Sequence, residues 1–395
     1  MARAIILMMD SFGIGGAPDA KDFGDEGADT FGHIVDNYPN FRIPNLVKLG
    51  LLQAANEASG KNRQVATDGA DIDLPSKFGH CIETSSAKDT TSGHWEIAGV
   101  PVIEPWGYFK PEYPSFPQEL LEKICRRAGL KGFLGNKAAS GTVIIQELGE
   151  EHIKTGLPIG YTSADSNFQI AAHEKYFGLQ KLYDLCQIVY EEVKPYKIAR
   201  VIARPFVGEK AGEFVRTGNR HDYSVLPPKP TLLDVAKANG HKVIAVGKIS
   251  DIFAGCGVVE KKLASGHSAL WDKTIEAVRE APEGSLIFTN FVDFDMLYGH
   301  RRDLVGYAKA VEEFDAMLPH FAKELQDDDV VFIVADHGND PTAKGSDHTR
   351  EQIPVIMFGK NVKPQNVGLR KTFSDIGQTV ADVLGVKLEN GVSFL

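Results

Sequence analysis

The chain has 395 residues, enough for roughly two or three domains or one large α/β unit. Hydrophobic residues make up 43% and charged residues 24%, which excludes a disordered chain and suits a soluble globular one. Lys and Arg number 43 against 53 Asp and Glu, a formal charge of −10, so nucleic acid and anionic membrane are not expected partners. A phosphate-bearing substrate must then find a locally positive pocket. Cys81, Cys125, Cys186 and Cys256 stand far apart with no C-x-x-C pair. They read as free, buried thiols of a reducing compartment. No run approaches the ~18 apolar residues of a membrane span, and the apolar start is too short for a signal segment. A cytoplasmic location is expected.

Ala4-Ile5-Ile6-Leu7-Met8-Met9 is a continuous apolar run that ends in Asp10 and a Gly-rich turn. Such runs suit parallel strands covered on both faces. A further strand is expected near Phe78–Ile82, and apolar runs recur at Val243–Val246, Leu286–Phe291, Val330–Ala335 and Pro354–Phe358. Helical patterns lie between them. Thr231 and Asp234 form a capping box at the start of one that Gly240 closes. Tyr307, Val311, Phe314, Leu318, Phe321 and Leu325 share one helix face, which Pro319 should kink or split. Ile376, Val380, Val383 and Leu384 mark a last helix ended by Gly385.

This alternation predicts an α/β core with a mostly parallel sheet flanked by helices. The middle is more broken, with Pro clusters at 105–117 and 227–230. Its strand candidates are Thr142–Ile145 and Val201–Phe206, and Leu179, Leu182, Cys186 and Val189 mark a helix. Residues 101–222 therefore read as an inserted α+β cap domain, with 1–100 and 223–395 forming the core.

The chemically suggestive clusters lie outside the insert. Asp10 closes the first strand. Asp89-Thr90-Thr91-Ser92-Gly93-His94-Trp95 follows the strand near Phe78. Asp293, Asp295 and His300 follow the run at 286–291. Asp336-His337-Gly338-Asn339-Asp340 follows the run at 330–335, and Asp347-His348 comes after a short loop. Open α/β sheets bind ligands at the carboxyl ends of their strands, so these clusters should converge. Asp and His together are natural ligands of divalent first-row metals. Three Asp and three His exceed the needs of one tetrahedral ion. They fit two ions about 3.5–4 Å apart, able to clamp a phosphoryl group.

Each piece alone has a plainer reading. An Asp after a strand is usually a turn former or helix cap. Asp293 and Asp295 alternate, so they share a face if the strand continues. Spacing alone does not choose among the hydroxyls of Thr90, Thr91 and Ser92. Gly93 and the apolar pattern after it suggest a helix start whose free N–H groups favour phosphate. Competing signatures are absent. Gly13-Ile14-Gly15-Gly16 lacks the third glycine of a dinucleotide fingerprint, Pro18 standing there. No phosphate-loop motif and no nucleophile-elbow motif occurs.

A family resemblance becomes specific at these residues. The stretches Met9–Ala20, Phe23–His33 and Lys88–Glu96 resemble phosphopentomutases. So do Tyr161–Ser166, Arg200–Phe206, Asn219–Tyr223, Gly247–Ile252, Asp293–Asp303, Ala335–Asp340 and Asp347–Glu351. The likeness covers nearly the whole chain. It implies the alkaline phosphatase superfamily, with an α/β core and an inserted cap. It implies two manganese ions, one held by Asp295, His300 and His348, the other by Asp10, Asp336 and His337 beside Thr90. Thr90 is the implied phosphorylated nucleophile. Ser163, Asp165, Arg204, Arg220 and Lys248 are the implied contacts to a pentose phosphate. A sugar bisphosphate such as glucose 1,6-bisphosphate is the implied activator.

The expected activity interconverts α-D-ribose 1-phosphate and D-ribose 5-phosphate, and the 2-deoxyribose pair, in nucleoside salvage. Two other readings stand beside it. One is a different metal-dependent phosphoryl-transfer enzyme of the superfamily, a phosphoglycerate mutase or phosphatase, separable by a substrate panel. The other is a non-catalytic sugar-phosphate sensor, separable by a turnover assay. The oligomeric state stays open, with a monomer as the default.

Overall fold

The computed structural model describes residues 2–163 and 166–395. The chain divides into two compact units, Met1–Glu104 with Pro227–Leu395, and Pro105–Leu226. In chain order the strands are β1 (Ala4–Met9), β2 (Ser76–Cys81), β3 (Leu134–Ala138), β4 (Ile159–Thr162), β5 (Asn167–His173), β6 (Arg200–Val207) and β7 (Val215–Arg216). They continue with β8 (His221–Ser224), β9 (Val243–Val246), β10 (Glu260–Lys262), β11 (Leu286–Phe291), β12 (Val330–Val334), β13 (Ile353–Phe358) and β14 (Gln365–Arg370).

The first unit is built on an eight-stranded sheet of order β10-β9-β11-β1-β12-β13-β2-β14. Its pairings are parallel except where β13 runs antiparallel to both β12 and β2. Every residue of β1, β9, β11 and β13 is buried, so both faces of the sheet's centre are covered. That is why these strands read as apolar runs, interrupted only by Thr289 and Asn290 of β11. The architecture is the expected mostly parallel α/β sheet. Aromatic residues pack beside β11: the Trp271 ring lies 4.8 Å from Phe291, 5.0 Å from Phe314 and 5.5 Å from Phe321. Each such buried ring contributes about 1.5–3 kcal/mol through its apolar area.

The helix opened by Thr231 spans Leu232–Ala238 with its capping box formed, and the last helix spans Ser374–Leu384 before Gly385. The helix is not split at Pro319. One helix runs Leu304–Ala322 through the proline. A proline leaves the carbonyl four residues earlier without its donor. Here that carbonyl, on Asp315, accepts instead from Asn45 Nδ2 at 3.1 Å. The substitute bond from outside the helix keeps it continuous.

The second unit carries the order β3-β4-β5-β6-β7, with β8 also on β6. Val201–Phe206 lies within β6 as read, and the helix bearing Leu182, Cys186 and Val189 spans Leu179–Val193. Thr142–Ile145, read as a strand, instead opens the helix Gly141–Thr155. Its four β-branched residues look extended in isolation. The buried set Ile144, Ile145, Gly149 and His152 keeps helical spacing through the next turns. The thiols are all free, but only Cys81 and Cys186 are buried; Cys125 and Cys256 are half-buried. No described helix is long and apolar enough to cross a membrane.

Candidate functional site

The central strands carry the site at one edge. Asp10 follows β1, Asp295 follows β11, and Asp336 and His337 follow β12, three neighbours in the sheet. Thr90 lies beyond β2. His348 precedes β13, and because that strand is reversed its entry end meets the exit ends of β12 and β2. Asp293 and Asp295 do not extend β11 as one face of a strand. The chain turns into a π-helical segment, Phe294–Gly299, which presents Asp295 and His300 together.

Six side chains converge. His337 Nε2 stands 3.3 Å from Asp336 Oδ2 and 3.6 Å from Asp10 Oδ1. His300 Nε2 stands 3.0 Å from Asp295 Oδ2, and His348 Nε2 stands 3.5 Å from Asp295 Oδ1. The His337 and His348 rings are 4.0 Å apart, and those of His300 and His348 4.7 Å. Asp10, Asp336 and His337 offer one clustered set of donor atoms, and Asp295, His337 and His348 another. His337 thus stands between the two sets, while His300 joins through Asp295.

Burial makes this cluster costly without a cation. Asp10 is pushed well above the usual carboxylate range by burial, and further by the charges of Asp336 and Asp295. Burial also pushes Asp295 up, but His348 and His300 outweigh it and hold it well below that range. Burial lowers His337. Asp10 Oδ1 is buried and accepts no hydrogen bond among the described residues. Asn290 Nδ2 donates to the other oxygen at 2.9 Å. His300 and His337 direct Nδ1 to the backbone carbonyls of Ser346 and Gly338, at 2.6 and 3.0 Å, which leaves Nε2 for the cluster. Hard carboxylate oxygens with oriented imidazole nitrogens fit divalent first-row metals.

Thr90 is the first residue of the helix Thr90–Ile97. Its Oγ1 lies 3.2 Å from His337 Nε2. Gly93 lets this helix approach the loop after β12, since a Cβ there would sit 2.1 Å from the Asp336 carbonyl oxygen. Two of the expected free N–H groups are taken. Asp89 Oδ1 accepts from the N–H of Thr91 and of Ser92, at 2.9 and 3.1 Å, and Asp89 Oδ2 accepts from Ser92 Oγ at 2.8 Å. Ser92 is buried and engaged, while the Thr90 hydroxyl faces the cluster.

Of the other expected residues, Lys248 follows β9 on an exposed turn, and its charge favours the ionised forms of Asp10 and Asp293. Ser163, Arg204 and Arg220 belong to the second unit. Ser163 Oγ accepts from Asn167 Nδ2 at 2.6 Å, and Arg204 Nε donates to Gln169 Oε1 at 3.0 Å. Burial, then the nearby Arg220, draws Arg204 down to about 10. Arg220 forks onto Asp222 at 2.7 and 2.6 Å. Asp165 lies outside the described residues.

Sequence reasoning missed the residues that orient the cluster. Fully buried His94 places Nδ1 2.8 Å from the Thr90 carbonyl oxygen and 3.0 Å from Asp336 Oδ2. Ser11 holds a left-handed φ of 68° and donates its N–H to Asp336 Oδ1 at 2.9 Å. Asn290 carried the one readable signal, an amide inside the apolar run of β11.

Residues 2–388 match the model of the Metalloenzyme superfamily. The solved structure of the PH0037 protein from Pyrococcus horikoshii covers 99% of this chain and 99% of its own, with a TM-score of 0.51 at 13% identity. That likeness shows the fold, which is alkaline-phosphatase-like. Among curated relatives, the phosphopentomutase of Elusimicrobium minutum is 60% identical over 397 residues, covering 100% of both chains. That of Aeromonas salmonicida is 56% identical over 404 residues, again covering 100% of both. Identity at this level over the full length of both chains places this protein in the phosphopentomutase family.

Proposed function

We propose that the protein interconverts α-D-ribose 1-phosphate and D-ribose 5-phosphate, and the 2-deoxyribose pair, through a phosphothreonine at residue 90. The observation that carries this reading is the Thr90 hydroxyl 3.2 Å from His337 Nε2, at the rim of the Asp/His cluster. The resting enzyme bears the phosphoryl group on Thr90 Oγ1. The P–O bond to Thr90 breaks as one forms to the free hydroxyl of the sugar monophosphate. The sugar proton passes to the Thr90 oxygen, and a pentose bisphosphate results. The reverse transfer from the other sugar oxygen restores phosphothreonine. A sugar bisphosphate such as glucose 1,6-bisphosphate primes unphosphorylated enzyme.

Asp295, His300 and His348 would hold one divalent ion, and Asp10, Asp336 and His337 the other, with manganese the proposed metal. Such ions supply positive charge against the transferring phosphoryl group. His94 holds the Thr90 turn against Asp336, so the hydroxyl keeps its place beside the cluster. Ser163, Asp165, Arg204, Arg220 and Lys248 are the proposed pentose phosphate contacts. Keeping water from the phosphoenzyme is the task proposed for the inserted unit. Nucleoside salvage is the proposed setting, since it releases pentose 1-phosphates.

Mass spectrometry after priming with glucose 1,6-bisphosphate tests the reading. The phosphoryl group is expected on the peptide containing Thr90. Thr90→Ala should lose turnover while keeping its metals, and Thr90→Ser should retain part of it. Full activity in Thr90→Ala, or a phosphoryl group on Ser92, overturns the assignment.

A further inference from the structure

Arg302 takes no part in the proposed chemistry, yet its guanidinium donates five hydrogen bonds beside the cluster. It stands two residues after His300, half-buried, with a left-handed φ of 54°. Non-glycine residues hold such backbone only where the surroundings over-determine it. Its Nε donates to the Gly345 carbonyl at 2.8 Å. One terminal nitrogen donates to the carbonyls of Gly299 at 3.1 Å and Asp340 at 2.9 Å, and also to Asn339 Oδ1. The other donates to the Asp347 carbonyl at 2.7 Å. None of these acceptors is a carboxylate. The guanidinium fork is spent on fixing backbone, a task for which its rigid, planar donors suit it.

Those acceptors lie on two segments. Gly299 ends the π-helical turn that bears Asp295 and precedes His300. Asn339, Asp340, Gly345 and Asp347 belong to the stretch between His337 and His348. Asn339 completes the link, because its Nδ2 donates to Asp295 Oδ1 at 2.7 Å. A Cβ on Gly299 would lie 2.8 Å from the Asn339 amide, so the segments are already at closest approach. Arg302, Asn339 and Asp295 thus form a continuous hydrogen-bonded chain. Its other arm grips the carbonyl just before His348.

We propose that Arg302 is a positioning residue which, through Asn339, sets the spacing of Asp295, His300 and His348 for one of the two divalent ions. The proposal rests on the two-ion reading above. Loss of such an outer partner typically weakens metal binding about 10–100-fold. The Asp10, Asp336 and His337 set has its own supports in Ser11, Asn290 and His94, so its affinity should hold.

The test uses full-length wild type, Arg302→Met, Arg302→Lys and Asn339→Ala, stripped of metal. Each is titrated with Mn²⁺ by calorimetry and electron paramagnetic resonance, and melted without metal. Wild type should bind two ions. Arg302→Met and Asn339→Ala should weaken one site about 10–100-fold and leave the other unchanged, with similar metal-free melting. Arg302→Lys should fall between, because a compact ammonium cannot span acceptors on both segments. If Arg302→Met does not fold, Asn339→Ala carries the test, since it removes the amide that joins Arg302 to Asp295 and lies 3.4 Å from His300 Nδ1. Unchanged affinity at both sites in the folded variants overturns the proposal. So does equal weakening of both sites together with lower metal-free melting. Fewer than two ions in wild type overturns the two-ion reading itself, a result distinct from either.

Discussion

His33 lies outside the six clustered ligands but braces their scaffold. Its Nδ1 donates to Asp340 Oδ2 at 2.6 Å, three residues past His337. That bond raises the His33 pKa above its ordinary 6.5, against the opposing effect of burial. Burial pushes Asp340 up, but His33 and the N–H groups of Asp29 and Thr342 outweigh it and hold the acid at about 2. The raised imidazole stabilises the fold fully below pH 6.5, and that contribution fades as pH rises through its folded value. The lowered acid stabilises above its unfolded value near 3.9, and that contribution fades as pH falls toward 2. Melting of wild type and His33→Gln, from about pH 5.5 to about pH 9, should show the largest gap at the acid end. A gap independent of pH would remove the ion pair from the account. None of this was readable from the chain, since His33 and Asp340 lie 307 positions apart. Ligands such as Asp336 and His337 announce themselves by following an apolar run. Their partners Arg302, Asn339 and His94 resemble ordinary surface or core residues until the fold supplies the carbonyls and carboxylates they touch.

Within the eight-stranded sheet, legibility followed burial, whereas β4 and β5 of the second unit are buried throughout yet give no unbroken apolar run. β1, β9, β11 and β13 are covered on both faces, and each reads as an apolar run. β10 and β14 form the sheet's two edges, where Glu260-Lys261-Lys262 and Gln365–Arg370 give no such signal. Lys262 joins β10 to carboxylates of Glu276 and Glu280 at 2.7 Å each, a bond pattern that only the folded neighbours explain. The helix through Pro319 makes the same point. Its continuity depends on Asn45, whose Nδ2 also donates to Asp315 Oδ2 at 2.9 Å and whose Oδ1 accepts from the N–H of Asp71 and of Ile72. Asn45→Ala should strand several buried polar groups at about 1–3 kcal/mol each. Denaturant unfolding should show a total loss of roughly 3 kcal/mol or more. A loss below about 1 kcal/mol would mean that water replaces these bonds.

For the whole molecule, one ion pair ties the start of β1 to the segment leading into β12. Arg3 Nε donates to Asp329 Oδ1 at 2.8 Å, with both side chains 1% exposed. Removing one partner leaves the other charged and buried, at a cost of about 3–5 kcal/mol. Arg3→Met should therefore lower global stability by that amount, and Arg3→Met with Asp329→Leu should recover much of it. Chemical denaturation of the two variants checks both statements. An additive double variant would show that Arg3 and Asp329 do not act as a pair.

The place of β1 has a consequence for biosynthesis. It is among the most apolar strands of the chain, and its partners are β11 on one side and β12 on the other. A ribosome adding about 5–20 residues per second needs roughly 15–55 s to travel from β1 to β11. Throughout that interval Ala4–Met9 has neither neighbour, and a bare hydrophobic strand is a template for pairing with other nascent chains. The catalytic sheet thus cannot close until the chain is nearly complete, and its own first strand must be sheltered until then, by transient burial or by a chaperone.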